Sequence, residues 1–147
     1  MQQPRRVNVR GIVYRNGQIL AQVLKANTAD PFWSTPGGGL DDNESLAAGL
    51  QREFIEEIGI APVIGKLLFM QQFNDGKREQ LEFFFNIENV DDFDTIDMSK
   101  TTHGEIEVES CEFIDPKTSK VLPAFLQTID IEKYITTDQP VFIYTEL

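Results

Sequence analysis

The chain has 147 residues, 41% of them hydrophobic, with 24 acids against 13 bases and a net charge of −11 at pH 7. That balance suits a single globular domain over residues 1–147. It excludes the basic footprint of a general nucleic-acid binder, and no run approaches the roughly 20 apolar residues of a membrane span.

The charge is unevenly spread. Residues 1–29 hold Arg5, Arg6, Arg10, Arg15 and Lys25 and no acid, so all 24 acids lie beyond them. The first residues lack the apolar stretch of a signal peptide. The one cysteine, Cys111, cannot form an internal disulfide and predicts a reducing, cytoplasmic home, with the thiol in the core.

In chain order, Val7 to Val13 alternate as a strand, and Asn16-Gly17 turns the chain into a second strand over Gln18–Leu24. Residues 25–35 read as a loop, and Pro36-Gly37-Gly38-Gly39 opens an exposed one. Asn43 is placed to cap a helix from Glu44 to Ile58, ended by Gly59. Strands over Val63–Phe73 and Glu79–Glu88 are joined at Asn74-Asp75-Gly76. An acidic loop follows over 89–104, then a strand over Glu105–Ile114. Pro123 starts a helix holding Phe125, Leu126, Ile129 and Ile131, and Val141–Tyr144 closes as a strand. Hairpins mixed with two helices predict an α/β (α+β) fold, a mixed sheet flanked by helices.

The chemistry concentrates on the 44–58 helix. At about 100° per residue, Glu53, Glu56 and Glu57 share one arc of about 100°, beside a buried stripe of Leu46, Leu50, Phe54 and Ile58. Three carboxylates at the edge of a core repel one another unless a hard cation such as Mg²⁺ joins them. Arg52 is placed to hold Glu56, four residues on. Gly49, one turn before Glu53, either leaves room for a metal-bound phosphate or a close backbone, or is merely tolerated. Carbonyls of Gly37 or Gly38 could ligate a metal, and the amides of Gly38 and Gly39 could meet phosphate oxygens. No Walker loop and no dinucleotide fingerprint is present.

Gly38, five residues, Glu44, seven residues, then Arg52-Glu53-Phe54-Ile55-Glu56-Glu57-Ile58-Gly59-Ile60 resembles the Nudix box. All of its fixed identities are present. Phe54 stands where an aliphatic residue is usual, and the lead-in Trp33 to Gly39 is similar too. The resemblance implies a Nudix-like α/β/α sandwich and hydrolysis of a phosphoanhydride bond in a nucleoside triphosphate or another nucleoside diphosphate derivative, with Mg²⁺ or Mn²⁺. It implies Glu53, Glu56 and Glu57 as metal ligands, with a carbonyl of Gly37 or Gly38, and Glu44 and Arg52 as braces. It also implies a later strand glutamate six residues before an aromatic. Glu107 is six before Phe113, and Glu105 and Glu109 are alternates sharing its strand face.

Arg10 falls where relatives place a phosphate-contacting base, and Trp33, Phe73 and Phe83 are candidates to stack on a nucleobase. His103 reads as a surface residue. The markers of ADP-ribose and dinucleoside polyphosphate members are missing around residues 74–78. A nucleotide-sugar pyrophosphatase and a non-catalytic nucleotide-binding module are the alternative readings. A small-molecule nucleotide is the expected partner, and the oligomeric state is open, a homodimer included.

Overall fold

The computed structural model describes residues 4–27, 29–101 and 103–147. The strands are β1 (Arg6–Ile12), β2 (Tyr14–Arg15), β3 (Gln18–Leu24), β4 (Gly37–Gly39), β5 (Ile64–Asn74), β6 (Glu79–Ile87), β7 (Val108–Ile114) and β8 (Phe142–Glu146). The helices are α1 (Leu46–Ile58), α2 (Gly104–Glu107) and α3 (Ile131–Thr136). Five strands form a mixed sheet in the order β4-β1-β6-β5-β8, in which β1 runs parallel to β6 and β5 parallel to β8. A second sheet has the order β2-β3-β7.

Both faces of the sheets are covered. On one, Val9, Val13, Leu20 and Ile87 meet Leu50, Phe54 and Ile58 of α1. On the other, Ile12, Ile19, Phe69 and Phe84 meet Phe125, Leu126 and Ile131 of the C-terminal segment. Phe69 is the hub of that second core, with the rings of Phe84, Phe125, Tyr134 and Phe142 at 5.3–6.4 Å. The result is the three-layered mixed fold that the element pattern predicts.

Several predicted boundaries change. The Asn16-Gly17 turn forms, with both residues at positive φ, but it joins β2 to β3 and leaves β1 to the other sheet. The glycine run is no free loop: Gly37 to Gly39 pair with Arg10, Val9 and Asn8 of β1. Gly37 has φ 141°, and a Cβ there would run into the Val9 carbonyl, so only glycine fits. Helix α1 is capped by Ser45, whose side chain accepts from the Ala48 N–H at 3.0 Å, not by Asn43. The shift follows from Glu44, whose carboxylate accepts from the Asp41 N–H and from Arg52 and so belongs to the loop. Gly59 ends the helix in the left-handed region.

The acidic 89–104 segment is anchored rather than bare. A 3₁₀ turn over Val90–Phe93 buries Phe93 edge-on against Phe54 at 5.7 Å. The chain at 104–107 is a helical turn, so Glu105 and Glu107 do not lie on the strand, which begins at Val108. The helix expected from Pro123 is two pieces, a 3₁₀ turn over Ala124–Gln127 and α3. They part where Asp130 accepts the Lys133 N–H and caps a new helix. No helix among the described residues is long and apolar enough to cross a membrane.

Candidate active site

Helix α1 is laid on β1 through a close approach: a Cβ on Gly11 would run into the Phe54 ring. That contact sets the opposite edge of the helix, with Glu53, Glu56 and Glu57, beside β4. Gly38 completes the fit, because a Cβ there would lie 2.7–2.8 Å from the Glu53 carboxylate. Gly49 has a definite role as well. It is buried under the Leu40 side chain and the Glu44 carboxylate, so it admits the loop that precedes the helix, not a phosphate.

Arg52 ties that loop to the helix. Its Nε and Nη2 donate to the two Glu44 oxygens at 2.8 and 2.9 Å, and Nη2 also donates to the Gly39 carbonyl at 3.0 Å. Its Nη1 reaches Glu53 Oε1 at 3.1 Å and Glu56 Oε2 at 3.2 Å. The guanidinium holds the Glu44 carboxyl down at about 2, and Glu44 in turn raises Arg52 above its ordinary value.

Glu57 is the buried member, 7% exposed, with Gln22 Nε2 donating to its Oε2 at 3.1 Å. Burial, reinforced by the Glu53 charge, pushes its carboxyl up to about 7 despite the Gln22 bond and the nearby Arg10. Among the described residues no three acid, histidine or cysteine side chains yet converge on one point. Arg52 instead holds Glu53 and Glu56 by one oxygen each, and among the described residues no side chain donates to the other oxygen of either carboxylate. The donor set, oxygen-only and with a buried carboxylate penalised for its charge, fits a hard divalent cation.

His103 joins this group, although its sequence suggests only surface. Its backbone N–H donates to the Glu56 carbonyl at 2.8 Å, and its Nδ1 lies 3.2 Å from Glu56 Oε2. Gly104 makes the docking possible, since a Cβ there would run into the Glu57 carbonyl. Glu107 is exposed at the end of α2, Glu109 is exposed on β7, and the Glu105 side chain lies outside the described residues. The predicted common strand face for the three therefore does not exist. Cys111 packs against the α1 core, and burial pushes its thiol up to about 12, so it is no nucleophile.

The other face of β1 opens on a cleft of about 1060 Å³ between the sheet and the 122–128 segment. Aromatic walls come from Phe73, Phe142 and Tyr144, and polar ones from Gln71, Gln80 and Glu82. Arg10 stands between cleft and helix. Its Nε donates to Glu82 Oε2 at 3.0 Å, and its Nη1 donates to the carbonyls of Thr35 and Gly37 at 3.1 and 3.3 Å. Much of its donor capacity is thus spent inside the protein, which makes it a wall before it is a phosphate ligand. Thr35 Oγ1 is buried without a partner among the described residues, and Thr35 lines this cleft. Trp33 is not among the lining residues. It packs on the C-terminal core and exchanges backbone bonds with Lys120 and Leu122. Phe83 packs on the α1 side, so Trp33 and Phe83 take the core-packing role open to all three aromatics, and only Phe73 reaches the cleft. Gln71, Gln80 and Glu82 carry no local signal in the sequence, because a polar residue in a strand reads as solvent-facing until its partners across the sheet are known.

A glycine-led loop, a helix carrying three clustered acids and a mixed sheet between helical layers define a family, and the NUDIX domain model matches residues 4–128. The chain belongs to that family, whose hydrolases generally use divalent metal ions. The RNA pyrophosphohydrolase of Pasteurella multocida (strain Pm70) is 40% identical over 63 residues, 42% of this chain and 31% of that protein. The aligned part thus spans about a third of the relative's length. Among solved structures, the MutT protein from Methanosarcina mazei Go1 superposes with a TM-score of 0.71 at 21% identity, covering 92% of this chain and 96% of that one. The E. coli ORF135 protein gives a TM-score of 0.65 at 21% identity over 83% and 84%. At these identities the structures establish the fold alone.

Proposed function

We propose that this chain is a single-domain, Mg²⁺- or Mn²⁺-dependent pyrophosphohydrolase that cleaves a phosphoanhydride bond in a nucleoside triphosphate or related nucleotide. The observation that carries the reading is the placement of Glu53 against Gly38 and of Glu57 beside Gly37, with Arg52 tying Glu56 to Glu53 and Arg10 linking Gly37 to an aromatic and amide-lined cleft. Glu53, Glu56 and Glu57 would hold the metal, with a carbonyl of Gly37 or Gly38. The bound ion would activate water and offset phosphate charge.

The residues of the chain supply the rest. Arg52 and His103 fix Glu56 from two sides. Gln22 keeps Glu57 oriented. Phe73, Phe142 and Tyr144 offer flat apolar area for a base, and Gln71, Gln80 and the Thr35 hydroxyl offer hydrogen bonds to its edge. A cytoplasmic setting, where Mg²⁺ and nucleotides abound, belongs to the same reading.

A second reading, removal of pyrophosphate from the 5′ end of an RNA, is favoured by the name of the curated relative and opposed by the net charge of −11. A panel of ATP, GTP, ADP-ribose and 5′-triphosphorylated RNA, with Mg²⁺ or Mn²⁺ and products identified, tests both. Metal-dependent hydrolysis of a free nucleotide supports the proposal. Turnover of RNA alone replaces it with the second reading, and no metal-dependent turnover leaves a non-catalytic binding module.

A further inference from the structure

We propose that Arg6 and Arg78 form a subsite for the terminal phosphate of the substrate, and so select a polyphosphate chain over a diphosphate that ends in a sugar. The inference rests on the pyrophosphohydrolase reading and names the substrate class within it. A second hollow, of about 580 Å³, lies on the side of β4 that faces Glu53, and four of its lining residues are arginines: Arg5, Arg6, Arg52 and Arg78. The chain has only 13 basic residues against 24 acids, so this grouping beside a metal-binding carboxylate is a local reversal of sign.

The four are not equivalent. Arg52 is spent on Glu44, Glu53 and Glu56, and Arg5 is paired with Glu79 at 2.8 Å. The Arg78 side chain makes no hydrogen bond or ion pair among the described residues, and its charge is felt by Asp75. The Arg6 side chain makes no hydrogen bond or ion pair among the described residues. Its guanidinium lies over Gly39, where a Cβ would come within 3.0 Å of Nε and Nη2. The acids of the hollow are Asp41, Asp42 and Glu53. Arg52 holds Asp41 and Glu53, and a metal would neutralise Glu53 further.

Arg6 also lines the base cleft, so it stands at the junction of the two cavities. A nucleotide with its base in the cleft and its scissile phosphates beside Glu53 runs past Arg6, and whatever follows those phosphates enters the arginine hollow. A phosphate dianion there meets guanidinium donors in the geometry they match best. A neutral sugar gains little from them.

The test measures kcat/KM for ATP and for ADP-ribose with Mg²⁺ in wild type, Arg6→Ala, Arg6→Lys and Arg78→Ala, with thermal melting to show that each variant is folded. The ratio of ATP to ADP-ribose should fall about tenfold in Arg6→Ala, fall less in Arg78→Ala, and recover in part in Arg6→Lys, which keeps the charge. A ratio unchanged in Arg6→Ala overturns the proposal. Calorimetric binding of inorganic tripolyphosphate with Mg²⁺ tests the subsite without turnover. It should weaken about tenfold in Arg6→Ala. Failure of wild type to bind tripolyphosphate overturns the subsite, whereas binding without hydrolysis of any nucleotide keeps the subsite and sinks the enzymatic reading.

Discussion

Burial raises the Glu57 carboxyl to about 7, and the sign of that shift has a measurable result. The folded protein keeps a proton that the unfolded chain releases near its ordinary value of 4.5, so the folded state loses stability as pH rises from there to about 7. Glu57→Gln removes that loss. In the presence of chelator, urea unfolding should show the variant gaining on wild type from pH 5 to pH 8, by on the order of 2 kcal/mol. An unchanged difference across that range would mean that Glu57 is not held against its charge. Glu56 is more exposed and is fixed by Arg52 and His103, so its amide variant should fold normally. Its kcat/KM with Mg²⁺ should nevertheless fall by roughly 10³-fold or more, because a ligand charge is gone. Near-normal turnover by Glu56→Gln would remove it from the metal site.

The turn from His103 to Glu107 is held on α1 by backbone proximity at Gly104 and by the two His103 contacts with Glu56. Gly104→Ala should lift that segment, at a cost of about 1–3 kcal/mol by overpacking. It should also expose the chain near residue 104 to limited proteolysis before global unfolding. Cleavage at the wild-type rate would show that the docking is dispensable. This element is also where the sequence misleads. Ile106 and Val108 alternate with Glu105, Glu107 and Glu109 as a strand would, but tertiary docking at Gly104 turns the first three into a helical turn. The opposite error occurs at β4, where glycines have no side chains to alternate and the pairing with β1 leaves no trace in the residues. The helix, by contrast, is legible from its periodicity and from the spacing of Gly38, Glu44 and Arg52 to Glu57. The loop before it folds back on it, with Gly38 against Glu53 and Glu44 on Arg52.

At the scale of the whole molecule, a net charge of −11 makes cations stabilising in two ways. Salt screens the general repulsion, and a specific ion binds the folded state alone. Millimolar Mg²⁺ should therefore raise the melting temperature by a few degrees more than NaCl of equal ionic strength, and Glu56→Gln should lose most of that excess. Equal shifts with the two salts would leave only screening. The cleft is the part of the molecule least legible in the sequence. Asn8, Gln71, Gln80 and Glu82 come from three strands, and their partners are one another: Asn8 donates to Gln80 Oε1 at 2.7 Å, and Gln71 donates to Glu82. Only the pairing of β5, β6 and β1 brings them to one face.

Strand β1 presents Val9 and Gly11 to α1 and Arg6 and Arg10 to the cleft, with Asn8 buried against Gln80 on the cleft side. Because side chains alternate across a strand, neighbouring letters of the sequence answer to different demands. A substitution at Arg6 or Arg10 changes the company a ligand keeps and leaves the Phe54 contact alone, whereas one at Gly11 does the reverse. Selection can therefore revise which molecule is accepted without disturbing the machinery that cuts it. A library varied at Phe73, Leu122 and Tyr144, which line the cleft without being fully buried, should yield altered preferences at lower risk to folding than one varied at positions 9 and 11.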